Sequence, residues 1–392
     1  MDKSYIGKNI QKHRYAKGLT QKELSDKAEI SLVQLGQIER GKSVPRVNNI
    51  QKISKALDIR FEELLIPVRE LHSVRFRAFK KLKSRNQILC EVAQWIDNYN
   101  FLEEILNQNP NSTLDKLSEK CINISLDLNK SIRASELARE FFGLRLDEPI
   151  FDVCGLLESK GIKIYERPLR SDNFFGLSVG KSDGGPAIVV NTHDTIPVER
   201  WIFSAIHELG HLILHTDSYC ENETCENKDE ELEANVFASH FLMPEKALID
   251  EWEESRGIHF VDRVFKIKRM FHVSYKTVLY RLSQHIDSGI NIWIEFQNAY
   301  RMISRKSLMK KDEPDSLSKD IFRSTIPEND ISSEPSHLEK YDFSETKLHS
   351  LTREAIEKDE ISISRGAEIL RLPLPDFRNL MDSWVDKFEY VR

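Results

Sequence analysis

A chain of 392 residues exceeds one ordinary domain, so two or three are expected, and 40% hydrophobic with 31% charged residues at a net charge of −6 supports packed cores. No run of about 18 apolar residues occurs, and the polar start MDKSYIGKNIQKHR carries no signal-type stretch, which excludes a membrane span and points to the cytoplasm. The five cysteines are odd in number and scattered, which excludes a disulfide scaffold; Cys220 and Cys225 form a C-x4-C pair lacking the second pair of a zinc knuckle.

Residues 1–68 hold 13 Lys/Arg against 8 Asp/Glu, while the remainder is acidic. A basic head on an acidic body fits a nucleic-acid-binding module joined to something else. Apolar residues recur there at helical spacing, as in Ile6/Ile10, Leu24/Ala28, Leu35/Ile38 and Ile50/Ile53/Leu57, and predict five short helices. In GLTQKELSDKAEISLVQLGQIERGKSVP a helix, a tight turn and a second helix follow one another. Ala28 is the small residue that lets the two helices cross, and Leu24, Leu35 and Ile38 lock their angle. The second helix then presents Leu32, Val33 and Gln37. Gln37 is suited to paired hydrogen bonds with adenine and Val33 to a thymine methyl, while Gln21, Lys42 and Arg46 are suited to phosphates.

The run Thr20-Gln21-x-x-Leu24, then Ile38-Glu39-Arg40-Gly41-Lys42, then Pro45, resembles the Cro/XRE family of repressor-type domains over about 60 residues. The resemblance implies a five-helix domain that binds a double-stranded DNA operator as a homodimer. The competing reading is the same fold used only for protein contacts.

Residues 69–134 read as a helical connector. The basic start of this connector, with Arg75, Arg77, Lys80, Lys81, Lys83 and Arg85, reads as a solvated helix face. From 135 to 300, helices at about 133–142 and 148–160 lead into strands at Ile162–Tyr165, Phe174–Val179 and Ala187–Asn191. The Gly180-Lys181-Ser182 sequence between the last two misses phosphate-loop spacing and reads as a hairpin turn. The strand Ala187–Asn191 is the expected pairing edge for an extended substrate. Helices at about 195–216 and 229–242 follow, residues 301–348 read as a flexible linker rich in Ser, Pro and charge, and 349–392 as a small helical subdomain.

The sharpest signal is His207-Glu208-Leu209-Gly210-His211. On a helix, residues i and i+4 project from one face, so His207 and His211 can bind one ion together. Zn2+ in such a site acidifies water, and Glu208 is placed to take the proton and later pass it to a leaving amine. Ile202, Phe203, Ile206, Leu209 and Ile213 put the motif on a buried helix. A catalytic zinc needs a third protein ligand, and the helix DEELEANVFASHFLMPE offers Glu233, which borders its packing face; Glu230 and Glu231 are neighbours able to replace it. Asn235 and His215 read as neighbours that orient or pack around the site, and Tyr219 or His240 as oxyanion helpers.

HELGHLILH followed by ExEANxFAxxFLMP, with LLESKGIKIYE, FFGLS and AIVVN upstream, resembles the ImmA/IrrE family of metallopeptidases over about 135–290. The resemblance implies a zincin-like fold, His207, His211 and Glu233 as zinc ligands, Glu208 as catalytic base, and a repressor-like protein as substrate. The expected fold class is mainly α with a small β-sheet (α+β): an all-α helix-turn-helix domain, a zincin-like metallopeptidase domain and a helical C-terminal tail. Two functions compete: a DNA-binding regulatory zinc endopeptidase, and a non-proteolytic XRE-type transcriptional regulator whose zinc site is structural or vestigial.

Overall fold

The computed structural model describes residues 4–65, 71, 74–78, 85–108, 114–122, 129–170, 174–216, 227–285, 291–309, 311–323 and 346–384. Cys220, Cys225, Tyr219 and residues 310 and 324–345 of the expected linker lie outside these. The chain divides into two compact units: Met1–Leu71 with Lys81–Asn98, and His72–Lys80 with Tyr99–Arg392.

The first unit begins with α1 (Ser4–Ala16), α2 (Gln21–Lys27), α3 (Leu32–Glu39) and α4 (Val47–Leu57), closed by a 3-10 turn at Phe61–Leu64. Local chemistry sets the boundaries. Thr20 and Glu23 form a reciprocal capping box on α2, and Ser31 accepts from the Gln34 amide to start α3. Leu24, Ala28, Leu35, Ile38, Ile50, Ile53 and Leu57 share one core with Ile10 and Leu64. At Gly7 a Cβ would stand 2.1 Å from the Ile38 carbonyl oxygen, so only glycine lets α1 approach α3 this closely. Beneath α3, the Arg14 guanidinium donates to both Glu39 oxygens, at 2.7 and 2.9 Å, in a buried fork.

In the second unit a strand precedes the expected ones. Val74–Ala78 forms β1, where a helix face is expected from the basic residues. Helices α5 (Arg85–Ile105), whose first part belongs to the first unit, α6 (Leu114–Ile122), α7 (Lys130–Phe142) and α8 (Val153–Glu158) come next. Strands β2 (Lys163–Glu166), β3 (Phe174–Val179) and β4 (Ala187–Val190) complete a four-stranded sheet in the order β1-β3-β4-β2. β3 runs antiparallel to both β1 and β4, and β2 parallel to β4. The Gly180–Gly185 segment is the expected hairpin connection, with Gly184 at φ 84°.

Behind the sheet lie α9 (Val198–Leu214) and α10 (Lys228–Leu242), followed by α11 (Glu245–Glu254), α12 (Phe260–Phe271), α13 (Tyr275–Leu282) and α14 (Ile292–Ser304). α9 is buried along nearly its whole length, wedged between β3, β4, α6 and α10. The tail forms α15 (Lys347–Glu357), α16 (Ile363–Leu370) and α17 (Leu374–Trp384) around Leu351, Ala355, Ala367 and Phe377. The architecture is α+β, and no helix among the described residues is long and apolar enough to cross a membrane.

The described residues of the expected linker are not all loose. Lys268 is fully buried between Glu199 of α9 and Glu313, the Leu317 amide donates to Glu199, and Phe322 packs edge-on to Trp201. Composition shows only the polar character of this stretch, whereas its long-range charge partners hold it in place.

Candidate metal centre

The site is built where α9 and α10 cross. At Gly210 a Cβ would lie 3.0 Å from Phe237 Cδ1 and 3.4 Å from Ala234 Cα, so glycine and alanine let the two backbones close up. This crossing carries the first turn of α10 over the histidine row. His207 and His211 share one face of α9, with their Nε2 atoms 2.9 Å apart. The Glu231 carboxylate spans both, with Oε2 3.3 Å from His207 Nε2 and Oε1 3.1 Å from His211 Nε2.

These three donors fit a metal ion. Zinc bonds of about 2.0–2.2 Å in tetrahedral arrangement set donor atoms about 3.3 Å apart, close to the separations seen here, and the three ligand atoms lie within 4.8 Å of one another. Two imidazoles and one carboxylate form an N2O set suited to zinc. Burial pushes the His211 pKa down to about 3, so this ring stays neutral and keeps a lone pair. Burial works to raise the Glu231 pKa, but the His207 and His211 rings set against it outweigh that and hold the group well below the carboxylate range.

The carboxylate that the structure brings to the two histidines is Glu231, whereas the sequence favours Glu233 and keeps Glu231 as a neighbour able to replace it. Two residues on a helix are 200° apart in rotation, so these side chains leave opposite shoulders of the packing stripe, about 160° apart. Glu233 goes to His215, with Oε2 2.9 Å from His215 Nε2, and His215 Nδ1 lies 2.9 Å from His211 Nδ1. One tautomer set satisfies this row: His211 Nδ1–H donates to His215, and His215 Nε2–H donates to Glu233. The row then orients His211 with its Nε2 lone pair toward Glu231 and His207.

Glu208, on the face of α9 next to the two histidines, meets β3 of the sheet. Ser178 of β3 donates to its Oε2 at 2.7 Å. A Cβ at Gly176 would lie 3.3 Å from both Cγ and Oε1 of Glu208, so β3 keeps this position open for the carboxylate. Ser178 is absent from the sequence reading, although strand alternation puts it on the same face as Gly176. Arg75 of β1, read from the sequence as part of a solvated helix face, instead donates to Glu230 and stands 3.5 Å from Glu231 Oε1. His207, Glu208 and His211 are all 0% exposed. His240 lies nine residues beyond Glu231, about 13 Å along α10 at 1.5 Å per residue, among Arg281 and His285, far from the donors. β4 is interior, paired on both sides, so the Ala187–Asn191 edge expected to receive a substrate is taken.

In the helix-turn-helix unit, Leu32 and Val33 are 47% and 69% exposed, and Gln37, Lys42 and Arg46 are exposed as well. Gln21 differs: it is half-buried and its Nε2 donates to Glu39 at 2.7 Å. The side chain of Gln21 therefore braces the Arg14–Glu39 fork between α1 and α3, which leaves its helix-terminal backbone amide as the group suited to a phosphate.

Comparison with known proteins agrees with both halves. A family model described as IrrE N-terminal-like, of the M78 peptidases, matches residues 157–283, and a helix-turn-helix model matches 10–64. No curated protein matches. Among solved structures, the restriction-modification controller protein C.AhdI from Aeromonas hydrophila is similar at 35% identity over 16% of this chain and 96% of its own, with a TM-score of 0.16. The competence regulator ComR from Streptococcus vestibularis is similar at 13% identity over 79% of this chain and 95% of its own, also with a TM-score of 0.16. The chain therefore carries a helix-turn-helix domain followed by an IrrE N-terminal-like domain.

Proposed function

We propose that this chain, with its helix-turn-helix domain and its M78-type domain, is a DNA-binding regulatory zinc endopeptidase that cleaves a repressor-like protein. The observation that carries the reading is the meeting of Glu231 of α10 with His207 and His211 of α9, the helix that also bears Glu208. His207, His211 and Glu231 would hold the ion, with Glu233 and His215 orienting His211. Zinc, when bound, supplies Lewis acidity toward a peptide carbonyl and toward water. Glu208 is the general base: its carboxylate takes a proton from water and passes it to the departing amine nitrogen. Ser178 holds one Glu208 oxygen by donating to it at 2.7 Å.

The basic head supports an operator-binding role. Leu32, Val33 and Gln37 would read base edges from α3, while Lys42, Arg46 and the Gln21 amide would hold phosphates, in a homodimer on a double-stranded site. Domain limits of 1–68, 69–134, 135–300, 301–348 and 349–392 go with this reading as working boundaries.

A second reading has one observation in its favour. Catalytic zinc sites keep an open position and structural sites are closed, and here His207, Glu208 and His211 are wholly buried. On that reading the protein is a non-proteolytic regulator with a structural zinc. One experiment separates the two: wild type and Glu208→Gln, both zinc-loaded, are compared for cleavage of co-expressed XRE-type repressors. Cleavage by wild type alone supports the peptidase, and an equal absence of cleavage, with operator binding retained, supports the structural site.

A further inference from the structure

The burial of the candidate centre has an identifiable cover. Extended substrates are commonly held by pairing with an exposed strand edge. The strand nearest Glu208 is β3, which touches it through Ser178 and Gly176. One edge of β3 pairs with β4, and the other is filled by β1. The register places Arg75 opposite Ser178 and Arg77 opposite Gly176, so β1 lies antiparallel along the part of β3 that meets the base. Directly paired residues share a face of the sheet. Arg75 therefore projects toward the α9–α10 side with Ser178, and its guanidinium reaches Glu230 and Glu231 on α10. Arg75 is 13% exposed, so the ion pair is shielded from water and screened little by salt.

We propose that β1 is a built-in substrate mimic: residues 74–78 occupy the β3 edge used by an extended substrate, and Arg75 latches them there through Glu230 and Glu231. The proposal rests on the peptidase reading and deepens it. The site opens when this strand leaves β3. The segment that replaces it is extended and carries an arginine or lysine in register with Ser178, where Glu230 and Glu231 receive the cation. β1 belongs to the second unit, while the chain on both sides of it, Met1–Leu71 and Lys81–Asn98, belongs to the first. A rearrangement of the DNA-binding unit would thus act on β1 through the chain itself.

The latch can be broken from either end. Arg75→Ala removes the cation, and Glu230→Gln weakens its partner without touching a zinc donor. Arg75→Lys keeps the charge and serves as the control. Amide hydrogen exchange of the zinc-loaded full chain reads the strand directly. The probe is a fluorescent peptide with the sequence of residues 72–80. In both latch variants, exchange at 74–78 rises at least about tenfold, and the peptide binds and protects 174–179. Wild type and Arg75→Lys keep β1 protected and bind no peptide. Protected amides in α9 verify that each variant is folded; if Arg75→Ala is not, Glu230→Gln alone decides.

Unchanged exchange in the folded latch variants overturns the proposal, as does an exposed β3 that takes no peptide. Peptide binding to wild type with β1 still protected also overturns it, because the substrate would then add outside β1. Cleavage is scored separately with an unlabelled repressor. Strand exchange without cleavage in any zinc-loaded form fells the peptidase reading while β1 is still displaceable. Cleavage by wild type with β1 protected fells the mimic and leaves the peptidase.

Discussion

The Gly210 crossing links packing to metal binding, and two substitutions there separate the contributions. In Gly210→Ala the new methyl meets Phe237 Cδ1 at 3.0 Å and Ala234 Cα at 3.4 Å. The first contact is relieved by a few tenths of an ångström of ring movement, and the second is ordinary packing. Replacing a mid-helix glycine by alanine gains about 1 kcal/mol of helix propensity, which offsets that strain, so stability changes by less than about 1 kcal/mol. In Gly210→Val two more carbons press against the α10 backbone, which cannot rotate away. Overpacking of this kind costs about 1–3 kcal/mol, and valine recovers less helix propensity than alanine. α10 is pushed outward, and Glu231, now 3.1–3.3 Å from the two imidazoles, withdraws from them. Zinc affinity should fall about 10- to 100-fold, the range for lost support of a metal ligand. Urea denaturation of the zinc-free protein and competitive zinc titration with a chromophoric chelator measure the two effects. Gly210→Val that matches wild type in both would refute the crossing as the device that sets the third ligand.

Other expectations follow from separate parts of the molecule. Burial, then Arg281 and His285, push His240 down to about 3 from an ordinary 6.5. The unfolded chain therefore takes up a proton below pH 6.5 that the folded chain refuses until about pH 3, so stability is lost as pH falls through that window, by up to about 1.4 kcal/mol per pH unit. Urea midpoints of His240→Gln should decline less steeply from pH 6.5 to 4 than those of wild type; parallel declines would contradict this. Glu39→Ala strands the buried Arg14 guanidinium and should destabilise the first unit by about 3 kcal/mol or more, seen as faster amide exchange confined to 1–65; unchanged exchange there would show the fork to be dispensable. For operator binding, Lys42→Ala should lower the slope of log affinity against log salt by about 0.9, and Gln37→Ala should cost about 1–3 kcal/mol on the specific site and little on random DNA. Equal losses on both DNAs would remove Gln37 from base reading.

What could be read from the sequence divides along physical lines. His207, Glu208 and His211 were legible because i and i+4 lie together on any helix, whatever surrounds it. The capping box at Thr20 and Glu23 and the helix-turn-helix core are local in the same sense. The choice between Glu231 and Glu233 was not legible. Both border the packing stripe of α10, and only the close approach at Gly210 and Ala234 decides which shoulder meets the histidines. β1 carried a signal that its charge obscured: Val74-Arg75-Phe76-Arg77-Ala78 alternates with a period of two, the mark of a strand, yet its arginines suggest a solvated helix face. Residues 311–323 were misread because Glu313 and Leu317 find their partners, Lys268 and Glu199, far away in sequence.

Zinc stoichiometry and affinity in wild type, Glu231→Ala and Glu233→Ala test the central claim most directly. The geometry predicts about one zinc per wild-type chain, loss of that zinc in Glu231→Ala, and retention in Glu233→Ala with affinity reduced no more than about 100-fold, as for a residue that orients a ligand. Zinc lost on replacing Glu233 and kept on replacing Glu231, or no zinc in wild type at all, would contradict it.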